Sequence, residues 1–244
     1  MENLFLDLAG KYDNESAERS AIFLLYSSSP KPMTILNKLA TSLGRRDEVP
    51  NQLLAAEIVR TRNKQAVQEL VDNLAHQDKG IQSDCIKVLY EIGERAPPLI
   101  AAHYKVFGSL LESRNNRLVW GAMTALDTIA AVEPKGVYSL LAKVLQAADG
   151  DSVIARDHAV GILVKLAKEK QFTAKCFPLL IEQLLTCPNN QLAMYAEKSL
   201  SLLDAGLSAK LVGDLEKVLT KRLPGLEKES QKARVVKVIK RLRR

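Results

Sequence analysis

The stretch Ser152-Val153-Ile154-Ala155-Arg156-Asp157-His158-Ala159-Val160-Gly161-Ile162-Leu163 decides how the whole chain is read. It opens on a helix-capping residue type, reaches a small residue at Ala159, and places a leucine four residues later. The same pattern returns every 37 residues. The caps are Asp78, Asn115, Ser152 and Asn189, the small residues Cys85, Ala122, Ala159, Ala196 and a fifth at Ala233, and the leucines Leu89, Leu126, Leu163 and Leu200. With the small residue as position zero, positions −4, +4 and +7 are apolar, as in Ala155, Leu163 and Leu166. At 100° per residue these all lie within about 40° of position zero, a single stripe on a helix. The small residue lets a neighbouring helix come close. A period in the range of about 20–50 residues marks a stacked-repeat protein, whose units bury a core only against one another.

A second helix follows in each unit. Its apolar stripes are Tyr104-Phe107-Leu110-Leu111, Leu140-Leu141-Val144-Leu145, Leu180-Ile181-Leu184-Leu185 and Leu215-Val218-Leu219. Turn residues separate the helices at Pro97-Pro98, Pro134-Lys135-Gly136, Asp149-Gly150-Asp151, Pro188-Asn189-Asn190 and Pro224-Gly225. Upstream the period drifts, with small residues at Ala55 and Ala21 and loops at Ser27–Pro32 and Gly44–Pro50. The expected fold is all-α: a right-handed α-solenoid of about fourteen helices and one elongated domain over 1–244. Within it, 1–50 are irregular N-terminal units, 51–223 regular repeats and 224–244 a basic capping helix.

Of the 244 residues, 47% are hydrophobic and only 5% aromatic, which is poor in the residue types that dominate strands and ligand pockets. The three cysteines are an odd number without a CxxC pair, which suits reduced thiols and a cytoplasmic protein. Met1-Glu2-Asn3 carries no basic region before an apolar run, so no secretory signal is expected, and apolar runs such as Ala21–Tyr26 are too short to span a bilayer. The net charge of +7 is concentrated at one end: residues from Lys221 to Arg244 balance at +8 and all the others at −1.

The units resemble HEAT repeats. Ala155-Arg156-Asp157-His158-Ala159-Val160-Gly161-Ile162-Leu163 is similar to that family's V-R-x-A-A-x-x-A-L core, and Pro178–Leu185 followed by Pro188-Asn189-Asn190 is similar to its helix–turn junction. In size the chain also looks like small stand-alone archaeal HEAT-like proteins. The family's ladder arginine has a counterpart only at Arg156, its equivalents being Gln82, Val119 and Ala193. The resemblance implies an armadillo-type helical stack that binds protein partners along its surface. A minority of such proteins bind nucleic acid, and one branch consists of DNA-alkylation-repair glycosylases, which use paired tryptophans with an aspartate and an arginine.

The residues support the first of these implications best. No GxGxxG, GxxxxGK[ST], GxSxG or HExxH occurs, and His76, His103 and His158 stand in separate repeats, so no catalytic group, metal site, cofactor or small-molecule substrate is expected. Trp120, the only tryptophan, lies about 160° from the core stripe and should face outward or sideways, with Thr124 and Asp127 on its side. It is a candidate anchor for a protein partner. The glycosylase reading would need a second tryptophan. The last helix carries Val235, Val238, Ile239 and Leu242 on one side and a basic stripe of Arg234, Lys237, Lys240, Arg241 and Arg244 on another. That stripe is either the polar outer face of a cap or a phosphate-contacting surface for nucleic acid. It lacks the large apolar anchors of a membrane-surface helix. Polar positions of the second helices, Lys105, Glu112, Lys143, Gln146, Glu182, Gln183, Asp214 and Lys217, are expected to line the inner surface. The chain is therefore expected to be a non-catalytic protein-interaction scaffold, with nucleic-acid binding as the alternative.

Overall fold

In a computed structural model of the chain, residues 34–150 and 152–244 are described, and Leu36–Arg244 form one compact unit. Among the described residues there are twelve α-helices, short 3-10 turns and no strand. In chain order the helices are α1 (Val49–Thr61), α2 (Lys64–Asp72), α3 (Lys79–Arg95), α4 (Tyr104–Leu110), α5 (Asn116–Ile129), α6 (Pro134–Ser139), α7 (Leu141–Ala148), α8 (Val153–Ala167), α9 (Lys170–Thr186), α10 (Asn189–Ser199), α11 (Ala209–Arg222) and α12 (Glu229–Leu242). The expected unit around Ala21 and the loop Ser27–Pro32 lie outside the described residues.

The small-residue helices α1, α3, α5, α8, α10 and α12 each pack on the next and form one layer. Helices α2, α4, α6 with α7, α9 and α11 form the other layer, so the unit is a helical solenoid. Cys85, Ala122, Ala159 and Ala196 are all 0% exposed, which is what close approach of successive helices requires. Ala233 is exposed, because it sits on α12, beyond which no described helix stacks. At Gly121 the approach is tighter still: a Cβ there would collide with the Ile86 side chain of α3. The stripe leucines Leu89, Leu126 and Leu163 and the paired-layer residues Phe107, Val144, Leu180 and Leu219 are likewise fully buried. Cys85 behaves as a small core residue, and burial pushes its thiol up to about 12.

Three of the four expected caps form. Asp78 accepts from the Gly80 N–H at 2.7 Å, Asn115 from the Arg117 N–H at 3.1 Å and Ser152 from the Ala155 N–H at 3.3 Å. Asn189 does not cap; Pro188 occupies that position, and the Asn189 amide instead accepts from Arg222 and donates to the Gly225 carbonyl. The expected loop Gly44–Pro50 ends early, because Val49 and Pro50 already form the first turn of α1, where a proline lacks no needed N–H. Around Leu140 the expected single helix is two, α6 and α7. Pro178 does not start a helix but lies inside the 17-residue α9.

The basic C-terminal helix is docked through its apolar side. Val235, Val238, Ile239 and Leu242 are buried where α12 packs on α10 and α11. Each such side chain contributes roughly 1.5–3 kcal/mol, so a chain cut at Leu223 would lose structure along with charge.

Candidate functional site

A groove of about 690 Å³ opens on the small-residue layer, on the other side from the second-helix positions expected to line the inner surface. Its walls come from the 40–48 loop, α1, α3, α5 and the start of α8. Close packing at the zero positions turns positions −2, −1, +2 and +5 of these helices toward the groove: Ser83, Asp84, Lys87 and Tyr90 on α3, and Trp120, Gly121 and Thr124 on α5. Trp120 is half-buried and also lines an adjoining groove of about 370 Å³ with Lys79 and Arg117. The sequence expectation that Trp120 faces sideways is met, and its neighbours make it part of a concave wall.

The acids of this groove are internally bonded. Asp84 accepts from the Thr41 N–H at 2.7 Å and from the Asn51 side-chain amide at 2.8 Å. Asn51, itself buried, accepts from the Ala40 N–H at 3.0 Å, so the pair pins the 40–48 loop across α1 and α3. Asp47 takes both ends of the Arg45 guanidinium at 2.9 Å. Glu48 pairs with Lys87 at 2.7 Å, and Lys87 also reaches Glu91 at 3.0 Å and lies 4.8 Å from the Tyr90 ring centre. Burial acts to lower the Lys87 pKa, but its bonds to Glu48, Tyr90 and Glu91 outweigh it and raise the value, so the ammonium stays charged.

Beside the groove, α5 and α8 are joined by a polar network that the sequence did not reveal. The Asp127 carboxylate accepts from His158 Nδ1 at 2.9 Å and from Lys165 Nζ at 2.8 Å, and Lys165 also donates to the Asp127 carbonyl at 2.6 Å. His158 Nε2 lies 3.0 Å from the Thr124 hydroxyl, which in turn donates to the Trp120 carbonyl at 2.9 Å. Gly161 makes room for the carboxylate, since a Cβ there would run into it. Burial acts to raise the Asp127 pKa, but the His158 hydrogen bond and the Lys165 charge overcome it and hold the carboxyl below its ordinary range.

Thr124, His158 and Asp127 thus stand in the order of a hydroxyl–imidazole–carboxylate relay. Their setting suits a clamp better than acyl transfer. Thr124 is 9% exposed, its hydroxyl proton is bonded within its own helix, and Lys165 ties the second Asp127 oxygen. The neighbouring N–H groups of α5 are engaged along the helix and offer no oxyanion site. Asp127 is therefore turned onto α8 and is not paired with Trp120 in one pocket, which is the arrangement a base-gripping pair would need.

The same kind of stitch recurs one repeat later. Tyr195, fully buried on α10, donates to Asp157 of α8 at 2.7 Å, and Lys198 donates to the Asp157 carbonyl at 2.8 Å. Asp84, His158 and Tyr195 all occupy position −1, and each reaches back to the preceding first-layer helix. The carbonyls at the end of α9 are met by Arg222, which bonds those of Leu184, Leu185 and Cys187. Arg156, the one ladder-type arginine, donates to the Gly150 carbonyl at 3.5 Å.

On α12 the candidate cations divide. Arg234 is held bidentately by Glu197 at 2.8 and 2.6 Å. Lys237, Lys240, Arg241 and Arg244 are exposed and form no ion pair among the described residues, although the Lys237 charge acts on Glu197 from a distance. The second-helix positions also pair among themselves: Lys143 with Glu112 at 3.0 Å, and Lys217 with Asp214 at 3.8 Å. Among the described residues, no helix is long and apolar enough to cross a membrane, and no three His, Cys, Asp or Glu side chains converge as metal ligands would.

No protein-family model matches the chain, and no curated protein matches it in sequence. Solved structures do match it in fold. A designed armadillo repeat protein in complex with the peptide (KR)4 is 14% identical, covers 87% of this chain and 100% of its own, and superposes with a TM-score of 0.60. A computationally designed armadillo repeat protein for modular peptide recognition is also 14% identical, covers 85% and 98%, and has a TM-score of 0.56. The archaeal HEAT-like repeats protein from Thermococcus onnurineus NA1 is 13% identical over 81% of this chain and 97% of its own, with a TM-score of 0.45. The fold is a helical-repeat solenoid, similar to that of the designed armadillo repeat proteins.

Proposed function

We propose that the chain is a non-catalytic binding scaffold that holds an extended segment of a partner protein in the groove around Trp120. One observation carries this reading: the lone tryptophan stands half-buried in the wall of a groove of about 690 Å³ that crosses several first-layer helices. A half-buried tryptophan in a preformed concavity is the residue type and setting in which binding energy concentrates. Thr41 and Ser83 add hydroxyl groups suited to a peptide backbone. The fold supports the reading too, since a designed armadillo protein of similar architecture is in complex with a peptide.

Selection from an unbiased library of displayed random peptides tests it. Binders are expected, and Trp120→Ala is expected to weaken them by about thirtyfold, some 2 kcal/mol, while leaving the melting temperature nearly unchanged. A library that yields no binders, or binders indifferent to Trp120→Ala, counts against the reading.

A second reading rests on the four exposed, unpaired cations of α12: contact with nucleic-acid phosphates. Because the apolar side of α12 is docked, the test is neutralisation and not truncation. On this reading, a variant with Lys237, Lys240, Arg241 and Arg244 all changed to Gln loses salt-sensitive duplex binding and keeps its fold. Duplex binding equal in both proteins contradicts it.

A further inference from the structure

We infer that the segment held around Trp120 is acidic. The inference deepens the peptide-groove reading and rests on it. The groove contains charges of both signs, so its preference depends on which of them are already bonded. Asp84 is satisfied by Thr41 and Asn51, Asp47 by Arg45, and Glu48 by Lys87. Three cations remain. Arg46 in the main groove, Lys79 in the adjoining one and Arg117 in both are exposed and have no acidic partner among the described residues. Two of them, Lys79 and Arg117, share the smaller groove with Trp120, and Arg46 lies with Trp120 in the larger one. Internal pairing thus leaves three cations against one carboxylate, Asp84, that is hydrogen-bonded only by neutral groups, a surplus of positive charge around an aromatic wall that an acidic ligand balances.

The dimensions fit a polypeptide. Stacked helices stand roughly 8–10 Å apart, and an extended chain advances about 3.3 Å per residue, so each helix step spans about three residues. Crossing from α1 to the start of α8, whose Ile154 lines the groove, takes about ten. A peptide can place carboxylates at Arg46 and Arg117 and lay neutral amides over Asp84. A nucleic-acid strand brings a charge at every nucleotide, more than the three cations Arg46, Lys79 and Arg117 can meet. A segment rich in Glu or Asp with an aromatic or aliphatic residue for Trp120 is therefore the favoured occupant.

The test uses the full chain with fluorescein-labelled glutamate-rich, glutamine-rich and lysine-rich peptides of about ten residues, and a single-stranded DNA of similar length, each in low and physiological salt. The glutamate-rich peptide is expected to bind tightest and to weaken as salt rises. Arg46→Glu and Arg117→Glu, both at exposed positions without an acidic partner among the described residues, are each expected to weaken it about tenfold, and the double variant about a hundredfold, while improving binding of the lysine-rich peptide. Preference for the lysine- or glutamine-rich peptide, with dependence on Trp120 retained, overturns the acidic inference and leaves the peptide-groove reading standing. Tightest binding by the DNA overturns both. The same charge-reversal variants, if they leave glutamate-rich binding unchanged, overturn the assignment of Arg46 and Arg117 as its recognition groups.

Discussion

Tyr195→Ala is expected to remove about 4 kcal/mol of folding stability. Tyr195 is 0% exposed and is among the largest fully buried side chains, so truncation leaves a ring-sized void between α8 and α10. It also removes the hydroxyl that donates to the part-buried Asp157 carboxylate at 2.7 Å. In a folded unit of this size each kcal/mol corresponds to about 2–4 °C, so the melting temperature should fall by about 10 °C. Tyr195→Phe separates the two effects: it keeps the packing, loses the hydrogen bond and should cost only about 1–2 kcal/mol. Urea titrations of the two variants check the pair. Equal losses in both would mean that packing at this joint matters little.

Asp127→Ala is expected to cost about 2–3 kcal/mol at neutral pH, through a different cause. The substitution leaves His158 and Lys165 facing each other with no carboxylate between them. The loss stays at the lower end for a broken ion pair because Lys165 is about a third exposed, which screens part of the interaction. The pH dependence follows from the lowered pKa of Asp127. A carboxyl whose folded value lies below its unfolded value contributes stability that is fully present above the unfolded value, near pH 4, and is lost as pH falls through the folded one. The part of the difference between wild type and Asp127→Ala that comes from the carboxylate should therefore shrink as pH falls below about pH 4. A difference that grows on acidification would contradict the account of the clamp.

Much of the fold was legible because it is written in the local period. The zero-position series Cys85, Ala122, Ala159 and Ala196 is apolar and small in every repeat, and a helix stripe needs only neighbours three and four residues away. The polar stitch escaped notice for a physical reason. Position −1 holds Asp84, Gly121, His158 and Tyr195, four chemistries at one spacing, so no residue-type signal repeats although the geometry does. Its partners lie a repeat away: Asp127 meets His158 and Lys165 at separations of 31 and 38 residues. Projecting each position of one repeat onto the next would have brought them together. The groove around Trp120 was not legible, because the stripe shows which side of a helix is buried but not which layer carries a hollow. The 40–48 loop that closes one end of that hollow is irregular and has no periodic signature, and the Asn51–Asp84 contact that holds it spans 33 residues. The division of the basic helix was hidden likewise, since only the fold brings Glu197 to Arg234 and leaves Lys237, Lys240, Arg241 and Arg244 unpaired.

The most direct measurement uses Trp120 as its own reporter, because the chain has no other tryptophan to mask it. Intrinsic fluorescence is followed while a peptide recovered from the library is added, alongside an independent measure of the bound fraction. The account predicts a saturable change in Trp120 emission whose midpoint coincides with that of binding. A peptide that binds fully while Trp120 emission stays unchanged would put the binding surface elsewhere and contradict the groove assignment.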